Sequence, residues 1–394
     1  MSAKAKTEIL KIYLLNFFCS LFFISPVIVF FYQSRGFDFS QILFLESVLT
    51  ISIFLFEIPT GVFSDRFGRK KSIVAGAALN LLSIILFILA RNYIVFVTCF
   101  AISGIAITFF SGTLEAIIYD NLKSIGKEDQ MNKAIGSLGA FSSFAALVAP
   151  IIGSILAKDL KEEQFRLLLY LTLLGTLIGF IVSLFIREPK SRNANSQSSF
   201  RIFKQGFILI KENQYLRQLV MLNVFSSPFL YCLLYLYQPF LKRAGVPIAF
   251  FGTIAGIATA LEIISQKMAH RVERKIGMKR FILLVTVIPG VMYLLMSLTH
   301  DPFWSVLIFI LIRGVIAFRW PAFSDYLNRE IPDEIRATAL SIISMFGSFY
   351  LVVMRIVIGK IADRSLSFAF VVMGSIIIAA SVILEIRRRA VLEN

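Results

Sequence analysis

Twelve apolar segments dominate this sequence, and each is about 20 residues long, the length that a helix needs to cross a bilayer core. Hydrophobic residues make up 57% of the 394 positions, whereas charged residues make up only 16%. We therefore predict an all-α membrane protein with twelve transmembrane helices, numbered helix 1 to helix 12. Their predicted ranges are 10–32, 40–62, 72–90, 94–118, 134–157, 166–186, 216–240, 248–268, 280–298, 303–325, 338–361 and 366–386.

A polar stretch over 187–215 separates the two sets of six segments. This predicts an N-terminal six-helix half over 1–186, a linker over 187–215 and a C-terminal six-helix half over 216–394. The linker is basic, and Phe203, Phe207, Ile208 and Ile210 lie among its charges, which is typical of an amphipathic helix on a membrane surface. We expect it to tether the two halves. The first apolar segment reads as a retained signal anchor because it is too long for a removable signal peptide.

The basic residues predict the orientation. One side, which holds both termini and the linker, carries roughly three times as many lysines and arginines as the other, and such loops face the cytoplasm. We expect a multi-pass protein of the cell membrane, such as a bacterial inner membrane, with both termini cytoplasmic. The net charge of +16 then reflects topology and contact with anionic membrane lipids, and not nucleic-acid binding.

The two halves share an internal repeat at an offset of about 205 residues. Glu57-Ile58 and the basic residues that follow match Glu262-Ile263 and the basic residues after them, at the ends of helices 2 and 8. The same offset places Asp120, at the end of helix 4, on Asp325 at the end of helix 10. Since charged residues match in two separate segments, we predict two parallel duplicates of six helices.

The loop after helix 2 carries a distinctive run of glycines and charges. It reads Gly61-Val-Phe-Ser-Asp65-Arg66-Phe-Gly68-Arg69-Lys70. Gly61 would allow close approach of another helix, and Gly68 would permit a tight turn. In position and spacing, this run resembles the signature loop of the major facilitator superfamily (MFS).

The resemblance implies the MFS fold and a conformational latch built from Gly61, Asp65, Arg66, Gly68, Arg69 and Asp120. It implies that Asp65 caps or pairs with the start of helix 11, and that Arg69 reaches the acid at the end of helix 4. The second copy departs from the pattern, with His270 in place of Asp65 and Glu273 in place of Gly68. Only the first latch is therefore expected to be complete.

Helix 5 contains Ala145-x-x-x-Ala149-Pro150-x-x-Gly153-Ser154. This run resembles, in degraded form, the glycine-proline signature of proton-driven exporters in the same superfamily. Small residues at this spacing allow close helix packing, and Pro150 alternatively only kinks the helix.

Ionisable side chains at membrane depth are costly, so they face a cavity or a partner. Four acids, Glu46, Glu57, Glu115 and Glu262, are candidates for proton coupling, and a structural ion pair remains open for each.

Three arginines, Arg313, Arg319 and Arg355, also fall within spans, and of these Arg313 and Arg355 are the candidates to balance the acids. Because an arginine stays charged, Arg313 either contacts the substrate or pairs with an acid such as Glu262.

Polar and aromatic side chains recur every three or four positions on helices 1 and 7, which begin the two repeats and which in this superfamily line the central cavity. Either these side chains line the cavity or they only join helices by hydrogen bonds. An aromatic cavity with few hydrogen-bonding groups favours an amphipathic organic solute over a sugar. The cavity candidates, with Ser111 of helix 4 and Arg313 included, are Asn16, Ser20, Ser111, Asn223, Ser227, Tyr231, Tyr235, Gln238 and Arg313.

The sequence thus predicts a secondary active transporter that exports a small amphipathic organic solute by alternating access. It carries no nucleotide-binding motif, so an ion gradient, expected to be of protons, supplies the energy; no cofactor, metal site or obligate protein partner is predicted. Import of a small carboxylate and a lipid or lysolipid flippase remain alternatives. We expect no enzymatic activity, because no nucleophile and base occur with ordered spacing.

Overall fold

A computed structural model describes residues 3–189, 212–332 and 335–384, and these residues contain helices and no strand. Eleven helices within these ranges are long and apolar enough to cross a membrane. The predicted helix 1 is also present, but it is interrupted, so neither of its two parts is long enough to cross a membrane alone. The helices of the first half are Ala3–Cys19 with Ile28–Ser34 (helix 1), Phe39–Phe67, Arg69–Leu89, Tyr93–Phe110 with Thr113–Lys123, Met131–Leu156 and Glu162–Leu184. Those of the second half are Gln214–Ser226 with Pro228–Arg243, Phe251–Ile276, Met278–Leu298, Pro302–Ala317 with Arg319–Glu330, Arg336–Arg364 and Leu366–Ile383.

The described residues form two compact units. The first unit comprises 3–35, 45–189 and 247–256, and the second comprises 36–44, 212–246, 257–332 and 335–384. The units therefore follow the two halves of the sequence except at the starts of helices 2 and 8, which each belong to the unit of the other half. Residues 190–211, which include the predicted amphipathic segment, lie outside the described residues. The division at 187–215 stays a prediction.

Tight turns at glycine join helix 2 to helix 3 and helix 8 to helix 9. Gly68 has a φ of +98° and Gly277 a φ of +80°, a backbone region that residues with a Cβ rarely enter. Gly277 lies one helical turn further along the chain than the repeat offset predicts for the counterpart of Gly68. The prediction that Glu273 occupies that place is therefore wrong, because the glycine that ends the helix defines the turn.

Each unit is held together by close packing of apolar side chains. In the first unit, helix 1 packs against helices 5 and 6, and helix 3 packs against helices 4 and 6. Ile12, Ile73 and Ile117 are fully buried in the core they share. In the second unit, helix 9 packs against helices 10 and 12, with Phe281 and Tyr326 in the core. Lipid tails are as apolar as these side chains, so packing and not hydrophobicity stabilises the arrangement.

Candidate functional site

In the part of the chain that the structure describes, four helices are interrupted within their length: helices 1, 4, 7 and 10. In helix 4 the break falls at Ser111 and at Gly112, whose φ is +65°. In helix 7 it falls at Ser227, directly before Pro228, and proline lacks the N–H that a continuous helix requires. The interrupted helices occupy equivalent places in the two repeats, and discontinuous membrane helices commonly form the binding sites of transporters. The breaks are therefore the candidate functional region of each unit.

The polar residues predicted on helix 1 join it to helix 5. Asn16 donates a hydrogen bond from its amide to the carbonyl oxygen of Leu138 at 3.1 Å, and Tyr13 donates its hydroxyl to the carbonyl oxygen of Ala134 at 3.0 Å. Ser20 donates to the carbonyl oxygen of Asn16 within its own helix at 2.7 Å. The amide of Asn16 thus takes part in an interhelical bond, one of the two roles that the sequence left open.

The polar and aromatic residues predicted to share one face of helix 7 differ in their exposure. Asn223, Ser227 and Tyr235 are half-buried, and Tyr231 is 41% exposed. Gln238, in contrast, is fully buried. The prediction that this face of helix 7 lines a cavity stays a prediction.

The small residues of the helix 5 motif pack against the break of helix 1. Ala145 and Ala149 are fully buried. A Cβ on Gly153 would lie 1.9 Å from the carbonyl oxygen of Phe23, within the break of helix 1. Ser154 donates a hydrogen bond to the carbonyl oxygen of Ala249 at 3.0 Å, just before helix 8. Helix 5 remains continuous through Pro150, so the small residues serve close packing.

Three of the candidate acids belong to the first unit. Glu46 is half-buried, whereas Glu57 on helix 2 and Glu115 on helix 4 are exposed. Neither Glu57 nor Glu115 has an ion-pair partner among the residues that the structure describes. Glu115 lies in the first turn that follows the break of helix 4, where the partial positive charge of a helix N-terminus favours a carboxylate. Ser111, at the same break, is exposed as well.

In the second unit, Arg313 of helix 10 pairs with Glu262 of helix 8 through the guanidinium Nε and a carboxylate oxygen. The two side chains are only 11% and 19% exposed. The guanidinium carbon also lies 5.9 Å from the ring centre of Phe309. Of the two roles left open for Arg313, the structure forms the ion pair.

Arg355 of helix 11 is 4% exposed, and its guanidinium lies 5.7 Å from the ring centre of Tyr231 on helix 7. This geometry is that of a cation–π contact.

Arg319 is a buried charge that sequence reasoning missed as a candidate. It begins the second part of helix 10, is 6% exposed and stacks over Phe323 at 5.1 Å. Its Nη2 donates to the hydroxyl of Ser226, in the last residue before the break of helix 7, at 2.5 Å. Within the described part of the chain, no carboxylate pairs with it. Arg319 therefore links the breaks of helices 7 and 10 by a hydrogen bond. Its position inside a predicted span is the sequence feature that could have identified it as a candidate.

The predicted latch is formed in part. Arg69 donates from Nη1 to the carboxylate of Asp120 and to the carbonyl oxygen of Ala116 at 2.5 Å. This ties the start of helix 3 to the end of helix 4, as the resemblance implied. Arg66 is exposed and stacks on the neighbouring Phe67 ring at 5.5 Å.

Gly61 and Asp65 are two further members of the predicted latch. A Cβ on Gly61 would meet no described heavy atom within 4 Å, and a close helix approach at this position stays a prediction. Asp65 is exposed and has no hydrogen-bond partner in the described part of its unit. Its capping of helix 11 stays a prediction.

The side chain of Glu188 also binds the loop after helix 2, a contact that the sequence did not predict. Its carboxylate accepts hydrogen bonds from the backbone N–H of Arg69 at 2.9 Å and of Lys70 at 3.0 Å. These are N–H groups of the first turn of helix 3, which have no carbonyl partner within the helix. The first residues after helix 6 thus cap helix 3.

The fold and these breaks define an integral, multi-pass α-helical membrane protein of the transporter class. The sequence profile of the Major Facilitator Superfamily matches residues 12–351 of this chain. The chain belongs to the major facilitator superfamily.

Relatives and solved structures agree with this assignment. The chain is 24% identical to the uncharacterized MFS-type transporter YxaM of Bacillus subtilis (strain 168), over 89% of this chain and 88% of YxaM. It is 23% identical to the bicyclomycin resistance protein homolog of Haemophilus influenzae, over 71% of this chain and 67% of that protein. The crystal structure of the nucleoside transporter NupG matches with a TM-score of 0.78 at 14% identity and covers 98% of both chains. That likeness shows the fold.

Proposed function

We propose that this protein is a proton-coupled exporter of a small amphipathic organic solute. The observation that carries the proposal is the carboxylate of Glu115, exposed at the break of helix 4 and without an ion-pair partner among the described residues. A carboxylate that is not held by a fixed positive charge can take up and release a proton. Glu57 on helix 2 has the same character.

The substrate class is supported by the chemistry of the breaks. Several of the polar groups near them already have partners, such as the amide of Asn16 and the hydroxyl of Ser226. A sugar would need a hydrogen-bonding group for each hydroxyl, whereas an amphipathic solute needs aromatic surface such as that of Tyr231. Among the relatives of this chain are the bicyclomycin resistance protein homolog and, over 38% of the chain, a vesicular acetylcholine transporter of Tetronarce californica.

Import of a small carboxylate has less support. That alternative needs an arginine that is available to an anion, but Arg313 is paired with Glu262, and Arg355 and Arg319 are only 4% and 6% exposed. We further propose that the protein lies in the cell membrane with its termini in the cytoplasm, which the distribution of lysine and arginine supports.

Proton movement in proteoliposomes tests the proposal. Vesicles with an acidic interior would receive a panel of lipophilic cations and, separately, a panel of small carboxylates. We expect proton efflux with members of the first panel only, and a loss of at least tenfold in Glu115→Gln. The matched control is Glu163→Gln, which removes an exposed carboxylate at the start of helix 6. Efflux driven by carboxylates alone would overturn the substrate class, and unchanged efflux in Glu115→Gln would remove Glu115 from the coupling.

A further inference from the structure

The start of helix 2 is capped from two directions. Helix 2 begins at Phe39, and the first N–H groups of a helix have no carbonyl partner within it. The preceding Asp38 supplies a local cap, since its Oδ1 accepts from the backbone N–H of Gln41 at 2.8 Å and from the hydroxyl of Ser40 at 2.9 Å. The backbone N–H groups of Phe39 and Ser40 need another acceptor.

Asp363 of helix 11 provides that acceptor. Its Oδ1 accepts from the N–H of Phe39 at 2.6 Å, and its Oδ2 accepts from the N–H of Ser40 at 3.2 Å. Helix caps normally come from the residue next to the helix, whereas this one comes from the last turn of a helix 324 residues away in sequence. Both hydrogen bonds are charge-assisted, and the dipole of helix 2 adds to the attraction.

Gly359 makes room for this contact. It lies one helical turn before Asp363 and is buried. A Cβ at this position would lie 2.6 Å from the Cα of Ser40, so only glycine allows the two backbones to come so close. Steric fit and hydrogen bonding therefore act at the same place, as expected of a specific contact.

The same spacing occurs in the loop after helix 2. Gly359-x-x-x-Asp363 has the pattern of Gly61-x-x-x-Asp65, and in each case the aspartate lies near the end of a 29-residue helix. The two copies differ in their present contacts. Asp363 is hydrogen-bonded, whereas Asp65 is exposed and has no hydrogen-bond partner among the described residues of its unit.

We propose that Gly359 and Asp363 form a separate latch on helix 11, distinct from the loop after helix 2 and from its copy after helix 8. This latch holds the first turn of helix 2 against the end of helix 11 in one transport state and releases it in the other. Asp363 acts as a positioning residue and does not touch the substrate. Its side chain is exposed, so water can replace both N–H donors when the contact opens. The inference rests on the proposed transport function, because helix 2 starts in the second unit and continues in the first after residue 44, so that alternating access draws its first turn away from helix 11.

Thiol labelling tests the latch. Cys19, Cys99 and Cys232 would be replaced by alanine and Ser40 by cysteine in the full chain, in right-side-out vesicles with a membrane-impermeant maleimide. We expect Asp363→Ala to raise the labelling rate at Ser40→Cys at least fivefold and Asp363→Glu to restore part of the protection. Arg364→Gln, at the neighbouring exposed residue, should leave the rate within twofold of the parent. An Asp363→Ala rate within twofold of the parent overturns the proposal.

Two further measurements separate a latch from a purely structural cap. Gly359→Ala keeps the carboxylate but pushes the backbones apart, so it should also raise the labelling rate; it serves as the deciding variant if Asp363→Ala does not fold. Adding tetraphenylphosphonium with a proton gradient should speed labelling of the parent if that cation is transported, because turnover opens the contact. If the cation is transported and labelling stays unchanged, the latch is contradicted. If no cation of the panel is transported, the proposed function fails, while the comparison of variants without substrate still tests the latch.

Discussion

Neutralising Arg313 should destabilise the protein, and neutralising Glu262 as well should restore part of the loss. In Arg313→Gln the carboxylate of Glu262, only 19% exposed, keeps its charge without a partner. Removing one member of a buried pair costs about 3 to 5 kcal/mol, and the remaining exposure of this pair argues for about 3. The double variant Arg313→Gln with Glu262→Gln removes both charges, so we expect it to recover about 2 kcal/mol.

The assay is the apparent melting temperature of the purified protein in detergent. We expect Arg313→Gln to lower it by on the order of 5 °C and the double variant to regain at least half of that loss. Arg280→Gln is the matched control, because Arg280 is exposed and forms no ion pair within the described residues; it should change the melting temperature by less than about 1 °C. The reasoning is refuted if Arg313→Gln melts like the parent, or if the two losses simply add.

Three further predictions concern contacts that the structure identifies. Gly153→Ala should sharply reduce the yield of folded protein, measured by size-exclusion chromatography, because its Cβ would meet the carbonyl oxygen of Phe23 at 1.9 Å; normal yield would contradict this packing. Glu188→Ala should cost about 1 kcal/mol of stability through loss of the helix 3 cap, measured by thermal unfolding, whereas Glu188→Gln, which keeps an acceptor oxygen, should cost less. Arg319→Met should leave folding intact but lower transport, because the breaks of helices 7 and 10 lose their tie; a variant with full transport would show that the bond to Ser226 is dispensable.

The twelve helices were predictable from sequence because the bilayer fixes their length. A run of about 20 apolar residues has few alternatives to a spanning helix. The breaks were not predictable in the same way. Gly112 and Pro228 occur at them, but membrane helices tolerate glycine and proline without breaking, and Pro150 lies in a helix that stays continuous.

The candidate site was predictable where the family resemblance names a contact. The pairing of Arg69 with Asp120 is an example. Arg313 could not be assigned from sequence, because either a solute or Glu262 would satisfy its charge, and only the positions of helices 8 and 10 decide.

The caps formed by Glu188 and Asp363 were not anticipated from the sequence. In sequence, a carboxylate at the end of a helix resembles any solvated surface charge. Its partner is the backbone of a distant helix start, and such a partner has no side-chain signature.

Accumulation of solute in inverted membrane vesicles tests the central claim, proton-driven export, most directly. In inverted vesicles whose interior is acidified by respiration, an exporter of the proposed kind moves a labelled lipophilic cation inward as protons leave. We predict accumulation that a protonophore abolishes and that Glu115→Gln reduces at least tenfold, at equal protein levels. Accumulation that is unaffected by the protonophore, or that occurs only in right-side-out vesicles, would contradict the account.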